Sequence, residues 1–208
     1  SSRRTAELLT RAAQEIFPGC ECRCLEVADG GEGTTEAVLS AAGGRRMEAM
    51  VCGPLWERRK ACYAALDGRR AVMEMAAASG LPLVPAELRD PRNTTSYGTG
   101  ELIRDALDKG FRDLSIAIGG SATNDGGIGC MRALGVRFLD EDGNELSGCG
   151  GDLIKIRSID RSGMDPRLRD THVTVMCDVT NPLCGENGAT HTFGKQKGGT
   201  PEILDELE

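Results

Sequence analysis

LSIAIGGSATNDGGIGC, residues 114–130, is the stretch around which this chain is organised. Leu114, Ile116 and Ile118 lie in a short apolar run. The run breaks at Gly119-Gly120-Ser121 and passes Asn124-Asp125 and Gly126-Gly127. It turns apolar again at Ile128, Met131 and Leu134. A buried strand, a glycine turn and a helix start write this pattern. Such a turn aims unpaired backbone N–H groups at one point, and the helix after it adds its positive end. Anions, phosphates above all, are the expected ligands. Asn124 and Asp125 can supply a metal ligand or a proton acceptor.

Working outward, the pattern recurs. Residues 21–27 read as a strand, followed by Asp29-Gly30-Gly31-Glu32-Gly33 and a helix over 35–42 that ends at Gly43-Gly44. A further buried strand over 173–177 leads to Asp178, Asn181-Pro182 and Gly188. Before the first of these units, Leu8, Leu9, Ala12, Ala13 and Ile16 give a helical stripe closed by Pro18-Gly19. Strands are expected over 46–51, 60–66 and 70–75, the last two joined by the hairpin signal Asp67-Gly68. The sheet is therefore expected to be mixed. A helix over 97–109 carries Leu102, Ile103, Ala106 and Leu107 on one face. A short strand covers 136–139, residues 146–169 read as loop-rich, 193–199 as a basic glycine-bearing loop, and a helix starts at Pro201.

The totals exclude several classes. A net charge of -7 and 3% aromatic residues speak against nucleic acid and anionic membrane as partners. No apolar run approaches the length of a membrane span, and no leader precedes the first helix, so a cytoplasmic protein is expected. Nine cysteines without a C-x-x-C pair suggest reduced thiols packed as small hydrophobes, with neither a disulfide framework nor a zinc site. Glycine is abundant, 28 of 208 residues, and it clusters where backbone must approach a ligand closely.

Three loops with acids and glycines, each after a strand, suggest one shared cleft at the carboxyl ends of the sheet. Asp-Gly and Asn-Asp pairs are also ordinary turn formers. Lys195-Gln196-Lys197 can supply the cation that phosphate chemistry wants, or can be a solvated pair. It is no P-loop: five residues separate Gly188 from Gly194, and Gln196 stands where Ser or Thr should. Gly119-Gly120-Ser121-Ala122-Thr123 departs from the nucleophile elbow G-x-S-x-G at its last position. A serine hydrolase would also need His172 or His191 in a triad.

Residues 28–34, 118–129, 181–185 and 193–198 resemble, in order and spacing, the motifs of the bacterial glycerate kinase family. The resemblance covers essentially the whole chain. It implies a two-lobed α/β kinase without a P-loop, here a fragment of the full fold. Residues 1–50 would belong to an incomplete first lobe and 51–208 to the second. Members usually begin with a strand and an Asp-Ser-Phe-Lys motif before the point where this chain starts, and continue well past Glu208. The implied reaction moves the γ-phosphoryl group of ATP to D-glycerate with Mg²⁺, giving 2-phospho- or 3-phosphoglycerate. Asp125, Asp178 and Lys197 are the catalytic candidates. Asp29, Gly30, Gly31, Glu32, Gly33, Gly119, Gly120, Ser121, Asn124, Gly126, Asn181, Lys195 and Gln196 are the candidates for holding ATP or glycerate. Asp178 and Asp29 are the metal candidates. A homodimer is compatible with these features. The readings kept beside this one are a non-catalytic small-acid-binding fragment and a kinase for another small hydroxy acid.

Overall fold

The computed structural model describes residues 2–24, 27–28 and 30–208. It is a mixed α/β protein. α1 (Ser2–Ile16) and α2 (Thr34–Ala42) come first. β1 (Arg45–Cys52) and β2 (Arg58–Ala65) then form an antiparallel pair, and β2 pairs antiparallel with β3 (Arg70–Glu74). The Asp67-Gly68 turn behaves as its chemistry predicts: Asp67 Oδ1 accepts from the backbone N–H of Arg69 and of Arg70, each at 2.8 Å. Those bonds and the Arg70 guanidinium hold the Asp67 carboxyl down at about 2.

β3 runs directly into α3 (Met75–Ser79), and α4 (Tyr97–Asp108) carries the chain back to β4 (Asp113–Ala117). α5 (Ile128–Ala133), β5 (Arg137–Leu139) and β6 (Ser158–Asp160) follow, the two strands pairing as a separate small sheet. β7 (His172–Met176), α6 (Ala189–Phe193) and α7 (Pro201–Leu207) complete the order. The main sheet has five strands in the order β1-β2-β3-β4-β7, with β3, β4 and β7 parallel.

The core lies between the sheet and α4. Tyr63, Met73, Leu102, Leu107 and Leu114 are fully buried there, with Ala71, Ile103, Ala106 and Ile116. Burying a side chain of Leu size contributes about 1.5–3 kcal/mol. Because strand residues alternate between faces, Val72 and Glu74 point away from this cluster, toward the face that α2 covers. A satellite cluster of Ile128, Val136, Phe138 and Leu146 closes the β5–β6 side.

Several expectations change. Residues 21–24, and 27, are not in a strand. No strand ladder includes them among the described residues, and chain without a laterally paired partner does not make a strand. β7 is a strand, but an exposed one: Val173 is 42% and Val175 54% exposed, and β4 is its one strand neighbour among the described residues. α3 was not expected, although Ala76-Ala77-Ala78 is strong helix-forming sequence. Residues 146–169 contain two 3-10 turns and β6. The basic loop expected over 193–199 is the end of α6 followed by a 3-10 turn, Lys195–Lys197. All nine cysteines are free, but Cys22, Cys24, Cys177 and Cys184 are exposed rather than packed.

Candidate functional site at the carboxyl ends of the parallel strands

The loop of residues 118–127 leaves the carboxyl end of β4 and meets the loop of residues 30–33 at once. Gly119 N donates to Gly30 O at 2.9 Å. A Cβ at Gly119 would lie 2.8 Å from Gly31 Cα and 2.9 Å from Gly30 O, so only glycine allows this approach. Gly30 in turn sits under the end of β7, where a Cβ would lie 3.0 Å from Met176 O. Glu32 is exposed beside Gly120, its Cγ 3.5 Å from where a Cβ on that glycine would stand.

The third partner is the segment of residues 188–199. Lys197 is 9% exposed, and its Nζ donates to Ser121 Oγ at 2.9 Å and to Thr123 O at 2.6 Å. Burial pulls the Lys197 ammonium down to about 8, and the Asp125 charge partly opposes the shift. Asn124 Nδ2 donates to Thr190 Oγ1 at 3.2 Å. Lys195 and Gln196, by contrast, are exposed.

Asp125 is 2% exposed and faces inward. Its Oδ2 accepts from Ser96 N and from Ser96 Oγ, both at 2.7 Å, and its Oδ1 accepts from Gly127 N at 3.0 Å. Gly129 adds a backbone N–H, and the Ser96 hydroxyl oxygen accepts from Cys130 N at 2.9 Å. Burial raises the Asp125 carboxyl against the pull of these donors. The carboxylate thus ties the start of α4 to the turn before α5.

The structure brings Gly30, Gly31, Glu32, Gly33, Gly119, Gly120, Ser121, Asn124 and Lys197 into one neighbourhood. Gly126, exposed at φ 57, marks the turn beside it. Asp178 and Asn181 leave the same end of the sheet in the segment after β7, both exposed. Asn181 Nδ2 donates to Asn187 O at 3.0 Å and to Thr192 Oγ1 at 3.2 Å, which anchors that segment to α6. Asp29 lies outside the described residues. The shared cleft takes the form of an open face. Cavities of about 550 and 420 Å³ lie at the opposite end of the sheet, against Asp67, Arg70, Arg112 and His172 and against Arg45 and Phe111, and contain no expected site residue. Among the described residues no cluster of three His, Cys, Asp or Glu side chains suits a metal. Glu32 and Asp178 are exposed carboxylates, the donor type that magnesium takes one or two at a time.

Two residues that hold the loops of this region escape sequence reasoning. Glu74 holds the amino end of α2, and Ser96 holds Asp125. The only signal for Glu74 is a charge that closes the apolar run Ala71-Val72-Met73.

Glycine turns locked together at the carboxyl ends of parallel strands, with a buried lysine beside them, belong to a mixed α/β fold. The chain belongs to the glycerate kinase family, whose sequence profile matches residues 1–208. It is similar to the glycerate kinase of Bacillus subtilis (strain 168), 53% identical over 100% of this chain and 55% of the relative. It is also similar to the glycerate 2-kinase of Escherichia coli (strain K12), 51% identical over the same shares, 100% and 55%. A crystal structure provisionally named glycerate kinase 2 from Salmonella typhimurium LT2 superposes with a TM-score of 0.87 at 50% identity, covering 100% of this chain and 56% of that one. The chain spans about half the length of the curated relatives it matches.

Proposed function

We propose that this chain forms the acid- and phosphate-holding part of a glycerate kinase, which transfers the γ-phosphoryl group of ATP to a hydroxyl of D-glycerate. The observation that carries the reading is Lys197, buried against Ser121 and Thr123 beside the glycine turn, a fixed cation where three loops meet. Phosphoryl transfer asks for positioning and charge neutralisation more than covalent chemistry. Lys197 neutralises the carboxylate or a phosphate, and the backbone N–H groups of Gly119, Gly120 and Ser121 orient it. Asp125 keeps that turn in shape from inside. Asp178, exposed at the mouth, accepts the substrate hydroxyl proton or, with Asp29 and Glu32, holds the metal. Mg²⁺ bound with ATP supplies charge neutralisation between the phosphate oxygens. The name of the Escherichia coli relative favours the 2-hydroxyl, and so 2-phosphoglycerate. The two-lobe division near residue 50 belongs to this reading.

A coupled ATP-consumption assay with D-glycerate on the complete natural chain tests it, with residues 1–208 alone run beside it. Turnover that depends on glycerate supports the kinase. Glycerate binding without ATP consumption replaces it with the non-catalytic acid-binding reading, and turnover confined to another hydroxy acid replaces the substrate.

A further inference from the structure

Glu74 ends β3 and immediately precedes α3, yet its side chain does not cap that helix. It crosses to α2 instead. Oε2 accepts from Gly33 N at 3.2 Å and Oε1 from Thr35 N at 2.6 Å. The residue is 9% exposed, and among the described residues no lysine or arginine pairs with it. A carboxylate buried without a cation is costly unless N–H groups and a helix dipole answer its charge. α2 answers it. That helix has no capping side chain of its own, since glycine occupies its N-cap position at φ 91. The N–H of Thr34 turns back to Gly31 O at 3.4 Å, and its hydroxyl reaches the same oxygen at 2.8 Å. The amino end of α2 is the place in the acidic loop where a ligand's anion would otherwise bind. The chain's own carboxylate already fills it.

The loop of residues 30–33 has Glu74 at its root and Glu32 at its rim. The loop it joins through Gly119 and Gly30 carries Ser121 and Thr123, which accept from Lys197, and the Asp125 charge also acts on that lysine. We propose that Glu74 is a positioning residue that serves as the internal anion of α2 and fastens the 30–33 loop to β3. It thereby holds the loop where Gly30 O accepts from Gly119 N and so keeps residues 119–121 in place beside Lys197. The proposal rests on the kinase reading above.

The test uses the complete natural chain as wild type, Glu74→Gln and Glu74→Asp. Hydrogen exchange at the Gly33 and Thr35 amides reads the anchoring directly. Glu74→Gln should quicken exchange there about tenfold or more, the scale of a lost charge-assisted hydrogen bond, while β4 amides stay protected. It should lower kcat for glycerate phosphorylation by about tenfold or more, with a smaller change in KM, because the loop loosens while Lys197 still binds the anion. Glu74→Asp keeps the charge and should recover part of both effects. Unchanged exchange at residues 33 and 35 overturns the proposal. So does faster exchange throughout the sheet that tracks a fall in Tm, or faster exchange with kinetics unaltered. A wild-type chain that never consumes ATP sinks the kinase reading, and the exchange data still decide whether Glu74 holds the loop.

Discussion

Lys197 keeps its charge where burial disfavours it, and pH exposes the conflict. Its folded pKa is lowered to about 8, below the unfolded value of 10.5. Between those values the unfolded chain binds more protons, so stability contributed by this group rises as pH climbs from about 8 to 10.5 and is absent below 8. The gain reaches about 3 kcal/mol at most. Anion binding runs the other way, because only the protonated amine attracts a carboxylate or phosphate. The KM for glycerate should therefore rise by up to about tenfold per pH unit above about pH 8. Lys197→Met should bind weakly at every pH with no such slope, and a wild-type profile flat to pH 9.5 would remove Lys197 from the anion site. Asp125 belongs to the same scale with a different lesson. Asp125→Asn places an NH₂ group against N–H donors that need an acceptor. It should cost about 1–3 kcal/mol, read as a lower Tm, as well as turnover. Loss of turnover with Tm unchanged would argue for direct chemistry by the carboxylate.

At the scale of elements, the loops are locked by contacts that glycine alone permits, and two substitutions separate the reasons. A methyl group at Gly119 would press on Gly31 Cα and Gly30 O, both backbone that cannot swing aside. At Gly33 the added methyl meets nothing within 4 Å, but φ is 91. Gly119→Ala should part the two loops and abolish activity, with Tm falling by several degrees. Gly33→Ala should cost about 1–2 kcal/mol of backbone strain and leave residual activity. Equal effects in the paired assays would refute this division. These glycine loops were legible in the sequence because turn chemistry is local. The hairpin at Asp67-Gly68 and the apolar face of α4 were legible for the same reason. Glu74 and Ser96 were not, because the partners of Glu74 lie 41 and 39 residues away and that of Ser96 29 away, and neither residue type announces such a bond. The depth of Asp125 was hidden too: a carboxylate in a glycine turn reads the same whether it faces the ligand or anchors the loop from behind.

Over the whole molecule, apolar alternation told strand from helix but not centre from edge. Val173 and Val175 read as core, yet β7 lies at the margin of the sheet with β4 as its one described neighbour. α1 is similar: Leu8, Leu9 and Ile16 make a sound helical stripe, but they are 49%, 66% and 69% exposed. A sheet-edge strand and an apolar helix face invite pairing with another chain. Residues 1–208 as a separate protein should therefore self-associate, with sedimentation coefficient and light scattering rising with concentration. Val175→Lys should weaken that association without changing Tm by more than a few degrees, since the side chain is already exposed and a lysine can extend into solvent. If association persists in Val175→Lys but falls in Leu9→Lys, the apolar face of α1 carries it and β7 does not. A monodisperse wild-type chain at high concentration would show that neither surface drives pairing.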